Sequence, residues 1–141
     1  MKKFLVKGNE YFLDFEVHDS YYEIIAYNKG KKKVGYVTMT LTFGENTRNI
    51  WLMRIFVEES ERFKGIGQKL LDALEYFAKS HLIDNIEGKY YPDNEYAKVF
   101  YEKNGYEIWK DGYETYVTKS FYFTKKNQKQ NFDKEMLELF K

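Results

Sequence analysis

The stretch Arg62-Phe63-Lys64-Gly65-Ile66-Gly67 constrains this chain more than any other. Before it lies a strand-like run, Ile50 to Val57. After it, from about Gly67 to Ser80, Leu70, Leu71, Leu74, Phe77 and Ala78 recur on one helical face. A glycine-rich turn at a helix N-terminus leaves backbone N–H groups without intrahelical partners, and the helix dipole adds partial positive charge there. Gly65 and Gly67 let a ligand approach that backbone with no Cβ in the way, and Arg62 and Lys64 add full charge. The pattern is that of a phosphate or pyrophosphate seat. Taken alone, it equally describes a simple chain reversal between strand and helix.

A second segment gives the turn its context. Asn94-Glu95-Tyr96-Ala97-Lys98-Val99-Phe100-Tyr101-Glu102-Lys103-Asn104-Gly105-Tyr106 begins 27 residues after Gly67, with Ala97, Phe100, Tyr101 and Asn104 at helical spacing. Asp93 or Asn94 can cap its start, and Asn104-Gly105 is a good helix stop. Arg-x-x-Gly-x-Gly followed by Asn-x-x-Ala-x-x-Phe-Tyr-x-Lys-x-Gly-Tyr resembles the GNAT superfamily of acyl-CoA-dependent N-acyltransferases in order, spacing and context. The resemblance covers roughly residues 48–110.

That resemblance implies acetyl-CoA, or another acyl-CoA, as cosubstrate. Its pyrophosphate would sit on the amides of Arg62, Phe63, Lys64, Gly65, Ile66 and Gly67, with Gln68 completing the cradle. The pantetheine arm would pair with backbone near Ile55 and Val57, where family members splay two parallel strands apart. A backbone N–H near Phe56 or Val57 would hold the developing oxyanion. Phe63 stands where the family often has a small residue; its amide remains available, and its ring either touches adenine or, as favoured here, faces solvent. Asn94 matches a position that often bonds the cofactor arm, and helix capping alone would equally account for it.

Tyr101 matches the position that often protonates the departing thiolate. A phenol of pKa ~10 is protonated at neutral pH and can donate to a thiolate whose conjugate acid lies near ~8.5. The alternative is a core aromatic beside Phe100. An amine acceptor must itself lose a proton, which costs a lysine-like amine of pKa about 10.4 roughly 4–5 kcal/mol at pH 7. The turn's own strand carries no carboxylate before Glu58, and Glu58-Glu59 read as solvated loop. Glu87, on the next strand, is the best candidate base, against the alternative of a solvent-facing strand residue. His18 is a weaker candidate, His81 reads as an exposed helix end, and a base acting through water is also compatible.

The chain has 141 residues, a net charge of +1 and no cysteine. It therefore reads as one domain, 1–141, without disulfides, thiolate metal sites or a Cys nucleophile. No metal-ligand cluster stands out, and near-neutral charge argues against a large nucleic-acid footprint. Lys31-Lys32-Lys33 reads as a solvated turn. The short apolar run at the N-terminus is neither a signal peptide nor a membrane span, so the expectation is a cytoplasmic protein without membrane partners. Fourteen Tyr and 12 Phe suggest amphipathic strand faces or a partner surface. Exposed Tyr-rich strands and a terminal helix make a homodimer a reasonable expectation.

Strands are expected at residues 3–7, 11–17, 22–27, 34–43, 50–57, 86–91, 106–109 and 113–123, helices at 67–80 and 94–103, and a short amphipathic helix at about 131–140. Asp111-Gly112 is a hairpin signal. The fold class is α/β (α+β), with a mixed, mostly antiparallel sheet and flanking helices. Residues 1–45 depart from the family: they are strand-rich and lack the helices that usually follow its first strand. The implied function is transfer of an acetyl (acyl) group to a primary amine by direct attack. The alternatives are a non-catalytic acyl-CoA-binding or regulatory module and, less favoured, a tRNA-acetylating toxin. The acceptor and the acyl-chain length stay open.

Overall fold

A computed structural model describes residues 1–121; the expected helix at 131–140 and the end of the 113–123 strand lie outside them. The elements are β1 (Lys2–Val6), β2 (Asn9–Val17), β3 (Tyr22–Asn28), β4 (Lys33–Phe43), β5 (Arg48–Val57), a short 3₁₀ turn (Glu59–Glu61), α1 (Ile66–Ser80), β6 (Asn85–Tyr90), α2 (Glu95–Lys103), β7 (Glu107–Asp111) and β8 (Glu114–Ser120). They form a mixed α/β arrangement around one eight-stranded sheet of order β1-β2-β3-β4-β5-β6-β8-β7. Every neighbouring pair is antiparallel except β5 and β6, which are joined through α1 and run parallel. Up to the end of β4 the chain is four strands linked by turns, with no helix among them.

Strand alternation assigns the two faces. Ile24, Ala26, Val37, Met39, Ile50, Leu52, Ile86 and Val117 share a core with Leu70, Leu71, Leu74 and Phe77 of α1 and with Tyr101 and Tyr106. Each fully buried aliphatic side chain in that layer contributes about 1.5–3 kcal/mol. Polar ties lock α2 to the same side as α1. The amides of Gln68 and Asn104 pair at 2.6 and 3.1 Å. Lys119 of β8 bonds both Glu75 of α1 and the Asn104 carbonyl at the end of α2. Among the described residues both helices therefore cover one face, and no helix covers the other.

Helix ends follow local chemistry. The Asn94 side chain accepts a 3.0 Å bond from the Ala97 N–H and caps α2. The Tyr106 N–H bonds the Tyr101 carbonyl across left-handed Gly105, closing the other end. The same closure ends α1, where the Ile83 N–H bonds the Ala78 carbonyl, but there Leu82 takes the left-handed position at φ 55°.

Candidate active site: an amide cradle beside a splayed strand pair

The parallel pair β5–β6 is short. Its rungs run from Asn49–Asn85 to Leu52–Gly88 and then stop, although β5 continues to Val57 and β6 to Tyr90. Two features explain the gap. In the β4–β5 ladder Thr38 pairs with Arg54 and Met39 with Leu52, so Met53 is an extra residue on β5. Such a bulge bends its strand and sharpens the twist. At the last rung, a Cβ on Gly88 would stand 3.3 Å from the Leu52 carbonyl oxygen, so the strands meet closely there and diverge beyond.

The Glu58 N–H bonds the Val34 carbonyl, so Glu58 faces β4. Alternation then turns Val57 and Ile55 toward the gap and Phe56 toward β4. Two contacts agree. The Val57 carbonyl is taken at 2.8 Å by the Arg62 side chain, and the Phe56 carbonyl lies close to Gly35 on β4. Of the two expected oxyanion donors, the Val57 N–H faces the gap and the Phe56 N–H faces β4. The amide of Ile55 joins Val57 in the gap.

The turn after β5 is built as an amide cradle. Phe63 sits at φ 63° and Gly65 at φ 100°, and α1 starts at Ile66. No N–H from Phe63 to Gln68 bonds a backbone carbonyl among the described residues, and the first to do so is Lys69, to the Gly65 carbonyl. Six consecutive amides are thus free, at the positive end of a 15-residue helix. The flanking side chains already have partners within the fold. Arg62 spends its Nε on Val57, with the guanidinium over the Phe56 ring at 5.7 Å. Lys64 pairs with Glu61 at 3.0 Å, and Gln68 is held by Asn104 and Asp72. These three side chains brace the turn beside the unpaired backbone amides. Phe63 is 74% exposed, its ring edge against Tyr96 at 5.2 Å.

A brace that the sequence did not reveal reaches the turn from β2. The Tyr11 hydroxyl donates to the Glu61 carboxylate at 2.6 Å, and Glu61 also holds Lys64. Burial, and then Glu61, push the Tyr11 phenol up to about 12, while Tyr11 and Lys64 hold the Glu61 carboxyl below its ordinary range. Tyr11→Phe should cost about 1.5–3 kcal/mol, the range for a hydrogen bond to a charged acceptor. Chemical denaturation would read this as a lower midpoint with an unchanged slope.

Tyr101 and Glu87 approach the gap from opposite faces. Tyr101 is 4% exposed on α2, on the helix side, its ring 6.0 Å from that of Tyr90 at the end of β6. Its hydroxyl has no hydrogen-bond partner among the described residues, and burial pushes its pKa up to about 12. Glu87 lies on β6 one residue before the last rung, paired in register with Trp51 on the helix-free face. Asn94 commits its side-chain oxygen to capping, leaving only its NH₂ for a ligand. His18 bonds Glu23 at 2.9 Å on the β2–β3 side of the sheet, away from the gap, and His81 stacks on Phe77.

The raised phenols make a prediction. Tyr11 and Tyr101 keep their protons in the folded state above pH 10, where the unfolded chain releases them. Their stabilising contribution is complete below about pH 10 and is lost as pH rises toward 12. The denaturation midpoint should fall across that window, and fall less in a Tyr101→Phe variant.

The family model of the acetyltransferase (GNAT) domain matches residues 19–108, more than half of the chain, and the chain belongs to that family. No curated protein sequence matches it. Among solved structures it is similar to the PaiA N-acetyltransferase of Thermoplasma acidophilum in complex with coenzyme A. That match has 20% identity, a TM-score of 0.64 and coverage of 72% of this chain and 62% of the other. Arabidopsis thaliana Naa50 in complex with the bisubstrate analogue CoA-Ac-MVNAL matches at 26% identity and TM-score 0.63, covering 70% and 72%. A GNAT-family acetyltransferase of Listeria monocytogenes matches at 11% identity and TM-score 0.68, covering 85% of this chain and 100% of its own. This chain thus spans less than two thirds of the Thermoplasma protein. Acyl transfer is the chemistry its family supports. No helix among the described residues is long and apolar enough to cross a membrane.

Proposed function

We propose that residues 1–141 act as one N-acetyltransferase domain that moves an acetyl group from acetyl-CoA to a primary amine by direct attack. The observation that carries this reading is the run of six unpaired amides, Phe63 to Gln68, opening beside the β5–β6 gap. Those amides would hold the pyrophosphate, and the Ile55 and Val57 backbone would take the pantetheine arm. The Val57 N–H would donate to the thioester oxygen as it gains charge, a contribution of typically a few kcal/mol from a preorganised donor. The amine would enter from the helix-free face, where Glu87 accepts a proton from it directly or through water. Its nitrogen bonds the acetyl carbon as the carbon–sulfur bond breaks, and Tyr101 donates the proton that the sulfur takes up.

The test is turnover. Because the chain has no cysteine, a thiol reagent detects released CoA without background from the protein. Amine-dependent CoA release that saturates with acetyl-CoA supports the proposal. Tight acetyl-CoA binding with no release across a broad amine panel would leave a binding module instead.

A further inference from the structure

The helix-free face beside the gap carries an arrangement that the transfer step does not use. Two cross-strand rows run along it. The first reads Trp51, Glu87, Thr118, Glu107 across β5, β6, β8 and β7, and the second reads Lys89, Tyr116, Trp109. Trp109 stacks on Tyr116 at 4.4 Å and 16°, and its indole N–H donates to the Thr118 hydroxyl at 2.9 Å, so the rings are held in place. The Lys89 ammonium lies 5.4 Å from the Tyr116 centroid, so one alkylammonium already uses this aromatic pair. Glu114 balances Lys89 at 3.6 Å, whereas Glu87 and Glu107 have no ion-pair partner among the described residues. Along these rows the face is aromatic and its three glutamates outnumber Lys89, while Arg54, on the same face beside the gap, is stacked over the Phe56 ring at 4.9 Å.

We infer that this face selects a linear aliphatic di- or polyamine as acceptor, with the reacting nitrogen at Glu87 and a distal ammonium at Glu107 against the Trp109 ring. The inference rests on the reading of the gap as an amine-acetylating cleft, and adds the class of amine. Glu87 and Glu107 flank Thr118, two strand spacings apart, about 10 Å. Only a chain carrying its second charge at about that distance satisfies both ends. A protonated amine over an aromatic ring and beside a carboxylate gains from both contacts. An acceptor with a neutral tail would gain neither contact.

The matched probes are 1,8-diaminooctane and n-octylamine, which differ only in the distal ammonium. Titrated into the CoA-saturated protein, the diamine should bind about tenfold more tightly than the monoamine, the size expected from one cation–π contact plus one exposed ion pair. Glu107→Gln and Trp109→Leu should each remove about half of that difference on a logarithmic scale, and together nearly all of it, with the monoamine unaffected. In turnover the loss should appear in the KM for the diamine, not in kcat. Equal binding of the two probes, a Glu107→Gln variant that keeps the full diamine preference, or stronger binding of a neutral-tailed peptide would overturn the inference. Diamine-selective binding without CoA release would sustain the surface and remove the acyl-transfer reading, so the two failures are distinguishable.

Discussion

A Gly65→Glu, Gly67→Glu double variant should lose acetyl-CoA binding by at least ~100-fold while keeping its fold. Six free amides meet at this turn, and each charge-assisted hydrogen bond to a phosphate oxygen is worth about 1.5–3 kcal/mol. Two carboxylates placed among them would compete for the same donors and repel the phosphates. The structure has room for both side chains. A Cβ at Gly65 has only Val6 Cγ1 nearby, at 4.0 Å, and one at Gly67 meets Val57 Cγ2 at an ordinary 3.7 Å. Left-handed backbone at φ 100° penalises any L residue at 65, by roughly 1–2 kcal/mol. A glutamate in the first turn of α1 returns about 0.3–1 kcal/mol through the helix dipole. Circular dichroism should therefore show a folded protein, and calorimetric titration no measurable heat at micromolar concentrations. Affinity within threefold of the parent protein would place the pyrophosphate elsewhere.

Tyr101→Phe should lower kcat about 100-fold or more, the lower end of what a positioned acid contributes, with little change in acetyl-CoA affinity. The ring contacts to Tyr90, Phe100 and Tyr106 survive the change, and the hydroxyl leaves no partner behind. Stability at neutral pH should move by less than about 0.5 kcal/mol, so the rate loss will not be an unfolding artefact. With its phenol at about 12, Tyr101 stays protonated throughout any practical assay range. The parent enzyme should thus show no alkaline fall in kcat from this residue below about pH 11. A kcat within threefold of the parent's would return Tyr101 to the role of a core aromatic.

Most of the fold was legible in the residues. Leu70, Leu71, Leu74 and Phe77 marked α1, Asn94 and Gly105 bounded α2, and Asp111-Gly112 joined β7 to β8. The start of α1 carried its own chemistry, and so did the cradle. Its flanking side chains did so only in part: Val57 and Glu61 lie within five residues of Arg62 and Lys64, whereas Asn104, which holds Gln68, is 36 residues away. The expected end of α1 at Ser80 agrees with the structure, although Leu82 takes the turn that glycine usually takes. Local sequence cannot show that strain, because the core around Ile83 enforces it.

The limits of a one-dimensional reading are clearest on the helix-free face. Glu87 could be named from its strand, but Glu107 and Trp109 drew no notice, since they lie about twenty residues away in sequence. Only the sheet order β6-β8-β7 brings them within two strands of Glu87. By itself the sequence determined which residues alternate, which positions cap and stop helices, and where free amides meet a helix dipole, because those properties are set within a few residues along the chain. The tertiary structure alone decided that Met53 bulges, that β5 and β6 part after Gly88, that Val57 rather than Phe56 faces the gap, and which charges share a face. Those outcomes depend on strand register and packing between residues far apart in sequence, and no local pattern encodes them.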